Sequence, residues 1–400
     1  MLIDKVCPGC AGELVADVPA WCASCEWGLG RFDARRAPRV WGLRAADRVD
    51  HWLAFRLNRR QYDELAGRAV DERAPAGRRA GLLLVALPLA LLGPACVAGG
   101  VVLTMLAGWL GVGLALVALG VALLWPHRQA DPWGEWPLTP AEAPAFFALI
   151  RRVADAAGTP GPDAVALSHD VSAHMTLRGR RSLVVGLPLW GALDGPERVV
   201  LLAHEMGHFV NHDGRRHVVV RAAYHTVQTL YGGVAGSARR LVFAPLFLAV
   251  GVPLWGLFAG LLVLGGRDSQ RAEDLADQVA TRVGGTAAAA RLLDALVTLD
   301  GLYPAMGARH LNHADPADWR TAAGQLRAST DVGLARLRSV RVDASLLVSH
   351  PPAGLRGRMV RSRPQHPPAL VVDDAEWAAI DAELAPWFAR LRARVRELHP

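Results

Sequence analysis

The sequence predicts a mainly α-helical protein with a small β-sheet, membrane-type helices and a short cysteine-bearing module at its start. Three observations predict it. Several long stretches repeat apolar residues at helical spacing, residues 164–187 alternate like strands, and two runs carry almost no charge. At 400 residues there is room for two or three structural units.

Residues 1–30 contain two CxxC pairs, Cys7-Pro8-Gly9-Cys10 and Cys22-Ala23-Ser24-Cys25. Each pair can present two thiolates to one metal, and two such turns make a closed tetrahedral site. Disulfides would need an oxidising compartment, and the first apolar run begins too late for a signal peptide. The expectation is a four-cysteine zinc ribbon, since so short a segment would scarcely fold without its metal. Trp21 and Trp27 serve it equally well as core or as binding surface, and its role is not legible. Cys96, alone in an apolar run, fits a buried small hydrophobe.

Residues 31–79 form a basic linker with an amphipathic stretch carrying Val49, Trp52, Phe55 and Leu57. Residues 80–125 are then nearly uncharged over about twice the length of one membrane crossing, which predicts a helical hairpin turning near Gly99-Gly100 or Gly108. Asp131-Pro132-Trp133-Gly134-Glu135-Trp136 suits an interfacial anchor.

The domain over 138–362 opens with Thr139 and Glu142 as a capping box and Pro140 at the first helical position, predicting a helix to about Gly158. Val165–Leu167, Val171–Leu177 and Ser182–Leu187 are strand-like, the last two joined by a basic turn at 178–181. Asp194 and Glu197 repeat the capping logic before Val199-Val200-Leu201-Leu202. A second apolar region lies within 217–266, strongest at 241–266. Amphipathic helices follow at about 270–283, 287–300 and, after 363, 374–397.

The net charge is +7, with a pI of 9.7. Lys5 is the only lysine, and Ala, Gly and Pro are abundant, so compositional bias explains the charge better than nucleic acid does. Arginines also flank the apolar runs, at Arg73, Arg78, Arg79, Arg128, Arg215, Arg216, Arg267 and Arg271, as on the cytoplasmic side of membrane helices.

His204-Glu205-Met206-Gly207-His208 is an HExxH motif. Histidines at i and i+4 share one helical face, so both rings can reach one metal, and Glu205 can take a proton from water that the metal acidifies. A hydrolytic zinc site needs a third protein ligand and an open fourth position. Glu273 in Arg271-Ala272-Glu273-Asp274-Leu275-Ala276-Asp277 can supply the ligand, and Asp277, four residues on, can orient a ligand histidine. A solvated acidic face would explain the pair if no HExxH preceded it.

This ordered set, with a late His350-Pro351-Pro352 and Arg356, resembles the HtpX and CAAX prenyl protease-like family of membrane zinc metallopeptidases over residues 138–362. The resemblance implies a gluzincin-type fold with zinc on His204, His208 and Glu273, and Glu205 as general base. It also implies that His350 and Arg356 line the active site, with His350 stabilising an oxyanion. Asn211 would approach the substrate backbone, although a helix-end cap explains it equally. The strand over 171–187 would pair with an extended substrate at Ala173 and His174. Many relatives have Asn-Ala-Phe there, whereas this chain has Ser172-Ala173-His174-Met175, which leaves side-chain preference open. His174 as a metal ligand and the cluster of His310, His313 and Asp315 are explained better by an ordinary strand and a polar loop.

The expected activity is zinc-dependent endopeptidase cleavage of membrane or misfolded proteins at a bilayer, in the cell membrane, with the site and both termini in the cytoplasm. No residue argues for prenylated substrates. One zinc cannot be ligated from both sides of a bilayer, so the chain must cross an even number of times between His208 and Glu273. Either 217–236 also crosses, or 241–266 dips and returns near Pro253. An intramembrane protease would place HExxH within a span, against which Asn211, His212, Asp213, Arg215 and Arg216 follow at once. A catalytically silent, zinc-bound scaffold or chaperone-like protein is the rival of another class, and the intact Glu205 argues against it.

Overall fold

The computed structural model describes residues 6–37, 44–68, 76–106, 108–125, 136–177, 180–210, 213–237, 245, 247–299, 302, 316–348 and 350–398. In chain order the elements are β1 (Leu14–Val15), β2 (Trp21–Cys22), α1 (Arg44–Leu65), α2 (Ala76–Thr104), α3 (Leu110–Leu124), β3 (Trp136–Leu138), α4 (Pro144–Ala157), β4 (Ala164–Ser168), β5 (Ala173–Leu177) and β6 (Arg181–Gly186). They continue with α5 (Leu187–Ala192), α6 (Gly195–Val210), α7 (Asp213–Ser237), a π-helical turn (Phe247–Gly251), α8 (Val252–Gly284), α9 (Thr286–Thr298), α10 (Pro316–Ser329), α11 (Val332–Val342), α12 (Ala353–Ser362) and α13 (Asp374–Leu398). Two compact units result: Met1–Val70 with Asp131–Asn211 and Gln270–Pro400, and Asp71–Ala130 with His212–Ser269.

In the first unit a four-stranded sheet has the order β3-β4-β6-β5. β4 and β6 run parallel, with Ala164 opposite Ser182, while β5 is antiparallel to β6, with Ala173 opposite Val185. β5 is therefore an edge strand, and it lies beside α6. One core joins sheet and helices, including Phe146, Leu167, Val185, Trp190, Leu202, Met206, Val283 and Phe388, all nearly sealed from solvent.

The entrance of α6 is held by buried charge. Glu197 accepts hydrogen bonds from Arg327 at 2.8 and 2.9 Å and from the Asp194 N–H at 3.0 Å. Arg198, also fully buried, reaches Asp381 at 2.8 Å and the Trp190 carbonyl at 2.9 Å. Removing one partner would strand the other charge in a dry core, which costs about 3–5 kcal/mol.

Three local expectations are corrected. Glu142 accepts the Thr139 N–H at 2.9 Å, but this closes a turn, and the helix begins at Pro144 instead of Pro140. Its free N–H groups at Ala145 and Phe146 are taken by Glu383 of α13 at 2.8 and 3.0 Å, a cap from a distant helix. Trp136 is no interfacial anchor: it is buried in β3, stacked 6.3 Å from Trp387, while 131–135 lie outside the described residues. α1 buries a polar face, Asp47, Asp50, His51 and Asn58, and leaves Val49 and Trp52 exposed. The reason is tertiary: His51 Nε2 lies 2.7 Å from the Arg341 carbonyl, Gln61 donates to Asp274 at 3.0 Å, and Asn58 accepts from Gln270.

In the second unit α2 and α3 form the hairpin, and the turn falls at Gly108, whose φ of +85° is a backbone state that glycine adopts freely. Among the described residues, two helices are long and apolar enough to cross a membrane, Ala80–Thr104 and Ala249–Gly284. α3 has 15 residues. That is about 22 Å of helix, short of the roughly 30 Å hydrocarbon layer, so the second limb of the expected hairpin does not by itself reach across. The second apolar region does not return at Pro253; it continues as one helix to Gly284.

Candidate active site

α6 and α8 carry the motifs, and Gly207 sets their separation. A Cβ built at Gly207 would stand 2.6 Å from the Ala276 Cα, so only glycine lets the two backbones approach this closely. HExxH and ExxxD therefore face each other across the contact. The glycine inside HExxH was legible in the sequence, but its packing role was not, because that depends on the other helix.

His204, His208, Glu273 and His350 each offer a ligand atom, and these atoms all lie within 4.8 Å of one another. His204 Nε2 and His208 Nε2 are 3.4 and 3.5 Å from the Glu273 carboxylate. Two imidazoles and a carboxylate are a donor set that fits zinc. His350 Nδ1 stands 2.6 Å from Glu273 Oε2. Its side chain is 38% exposed, against 6% for Glu273, so it stands on the open side of the group.

Behind the ligands, His204 Nδ1 lies 3.0 Å from Asp277 Oδ1. Arg356 donates to both Asp277 oxygens, from Nε at 2.9 Å and Nη2 at 2.6 Å. Arg356 Nη2 is also 3.2 Å from His204 Nδ1. Both atoms carry protons when Nδ1–H faces Asp277, so the carboxylate is the acceptor they share. Arg356 is buried and paired with Asp277, so it braces the ligand histidine, and its Nη1 also stands 3.7 Å from Glu273 Oε2.

The electrostatics follow from burial. Desolvation pushes Glu205 up to about 7, against the pull of His204 and His350, which places it where a carboxylate can both take and return a proton. Burial pushes His208 down to about 4, keeping the ring neutral and able to ligate. Burial also disfavours charge on His204, but hydrogen bonds to Asp277 and Glu273 overcome it and raise this histidine to about 9.

The cysteine cluster is equally close-set. Cys7 and Cys25 Sγ atoms are 3.5 Å apart, as are those of Cys10 and Cys22, and all four lie within the same 4.8 Å limit. β1 and β2 form the small hairpin that brings the two knuckles together. Four thiols at this spacing fit a tetrahedral zinc or similar thiophilic ion.

Of the substrate-contact expectations, Ala173 and His174 lie on the edge strand β5, paired with Val185 and Val184. Ala173 packs against the core, which leaves His174 on the opposite face. Asn211, His310, His313 and Asp315 lie outside the described residues. Neither a curated protein nor a solved structure shows significant similarity to the chain. The sequence model of peptidase family M48 does match, over residues 140–363, a stretch that includes His204, Glu205, His208, Glu273, Asp277, His350 and Arg356. The chain belongs to peptidase family M48, whose members are metal-dependent peptidases, usually with zinc.

Proposed function

We propose that the chain is a membrane-bound zinc metalloendopeptidase of the HtpX and CAAX prenyl protease-like kind, acting on membrane or misfolded proteins. The observation that carries this reading is the convergence of His204, His208 and Glu273 beside the buried Glu205. Zinc bound there would polarise the scissile carbonyl and make water nucleophilic near neutral pH. Glu205 accepts the proton of the attacking water and returns it to the leaving amine. His350, on the open side, would donate a hydrogen bond to the oxyanion. Asp277 and Arg356 hold His204 in its ligating orientation. The outer edge of β5, at Ala173 and His174, offers main-chain groups to an extended substrate, with Asn211, three residues after His208 in sequence, assisting.

A second zinc in the four-cysteine ribbon is part of the reading. So is a cytoplasmic active site, with both termini on the same face of the cell membrane. Two apolar helices support membrane attachment. The core that the ribbon and the peptidase share, of Trp21, Leu29, Val340 and Leu355, supports a chain that leaves and returns on one side of the bilayer. The bilayer and protein substrates are the proposed partners; nucleic acid is not.

The deciding experiment is Glu205→Gln on purified protein. The variant should keep the metal of the histidine site and lose nearly all casein hydrolysis. Unchanged hydrolysis would sink the reading and favour a contaminating protease or a scaffold role. Failure of the wild type to cut any protein substrate, with both metals present, would favour the silent scaffold.

A further inference from the structure

We infer that the four-cysteine module is a positioning part of the catalytic apparatus, acting on Arg356 and His204 through Glu26. This rests on the metallopeptidase reading above and adds a role for a module whose sequence alone suggests none.

The first observation is conformational. In each knuckle the residue after the second cysteine is left-handed: Ala11 with φ 58° after Cys10, and Glu26 with φ 59° after Cys25. Glycine is the default in that state, and other residues adopt it only against a steric cost between Cβ and the backbone. Ala11 is exposed. Glu26 instead bridges two helices, with Oε2 2.5 Å from Arg59 of α1 and Oε1 2.5 Å from Arg358 of α12. A strained position thus carries a side chain with a specific task, tied to the backbone of a cysteine ligand.

The second observation is what α12 does on its other face. Leu355 and Arg358 are three residues apart and share one side of the helix. Leu355 packs with Trp21 and Leu29 of the ribbon, both essentially sealed, while Arg358 takes Glu26. Arg356 points elsewhere, into the pair of hydrogen bonds with Asp277 that orients His204. The neighbouring helix is fastened too, since Arg341 of α11 donates to the Pro19 carbonyl at 2.8 Å. The ribbon therefore grips α12 from one side, and the histidine site depends on where α12 sits from the other. Partners that orient a metal-ligating histidine typically affect metal affinity or activity 10–100-fold, so a shift of α12 is felt at the metal.

A substrate-docking ribbon would behave differently, because it would act on KM. The test uses full-length protein in detergent or reconstituted bilayers, with zinc content, zinc affinity of the histidine site by chelator competition, thermal midpoint, and kcat and KM on casein. Ala11→Gly should match wild type. Glu26→Gly relieves the same backbone strain, so it should keep ribbon zinc and thermal midpoint. It should nevertheless lose about tenfold in kcat and in zinc affinity at the histidine site, with KM within about twofold. Arg358→Ala, which leaves the ribbon sequence untouched, should give the same losses, and combining the two should add nothing further. Wild-type kcat and zinc affinity in Glu26→Gly or in Arg358→Ala would overturn the inference. A rise in KM with kcat unchanged would also overturn it, in favour of docking. If the wild type itself held no zinc at the histidines, the metallopeptidase reading would fall, and this inference with it.

Discussion

Asp277 stands 3.0 Å from the Nδ1 of His204, on the side of the ring away from Glu273, and so decides which nitrogen His204 offers to a metal. The proton on Nδ1 faces the carboxylate, which leaves Nε2 to ligate. Arg356 holds that carboxylate in place with two charge-assisted hydrogen bonds.

Two substitutions at this position should separate geometry from charge. Asp277→Asn keeps the shape but weakens the hold on His204, and should loosen zinc binding at the histidine site about 10–100-fold with a modest loss of stability. Asp277→Ala leaves Arg356 in a buried site with only the more distant Glu273 carboxylate, 3.7 Å from its Nη1, and should destabilise the fold by about 3 kcal/mol. Chelator competition and thermal unfolding would check both. Equal zinc affinity in Asp277→Asn and wild type would show that Asp277 does not orient the ligand.

Gly207→Ala adds one methyl group where the nearest backbone atom is 2.6 Å from the new Cβ. Overpacking of this kind costs about 1–3 kcal/mol. Because the contact separates the HExxH helix from the helix of Glu273, zinc occupancy should fall together with the thermal midpoint. Wild-type zinc content and activity in Gly207→Ala would show that the two helices tolerate a wider spacing.

Metal content tests the two donor sets independently. Purified wild type should contain two zinc ions per chain, and either Cys7→Ser/Cys10→Ser or His204→Ala/His208→Ala should leave one. Glu273→Ala should lose the histidine-site zinc, since it removes the one carboxylate of that donor set. A single zinc in wild type, insensitive to the cysteine changes, would remove the ribbon assignment.

What was legible in the sequence was local. The spacings of His204 to His208 and of Glu273 to Asp277 are fixed by the helical repeat, so they point to a shared face wherever the helix lies. The strands at 164–187 announced themselves by alternation, and the structure holds strands at 164–168, 173–177 and 181–186. What was not legible depended on partners far away in sequence. Glu383 caps α4 across more than two hundred residues. α1 turns its polar side inward because Arg341, Asp274 and Gln270 await it, against the apolar stripe of Val49 and Trp52. Arg356 could be placed near the site by motif, but only the fold shows that Asp277 occupies it. α10, α11 and α12 were not anticipated, being short and weakly patterned between better signals.

Packing also constrains topology. Trp21 and Leu29, near the N-terminus, share a core with Val340 and Leu355 of the peptidase. Glu383 of α13, near the C-terminus, caps α4 of the same unit at Ala145 and Phe146. The ribbon and α13 are therefore bound to the body that holds His204, His208 and Glu273, and on the proposed membrane reading all of these share one face of the bilayer. If Arg-rich flanks mark the cytoplasmic side, that body is cytoplasmic. Epitope tags placed before Met1 and after Pro400 should both be protected from protease added to intact cells, and both be cut once the membrane is permeabilised. Tags are preferable here to cysteine labelling, because a cysteine-free background would remove the ribbon whose packing is being tested. Cleavage of one tag and protection of the other in intact cells would contradict the shared core. Cleavage of both would keep the core and place the active site outside.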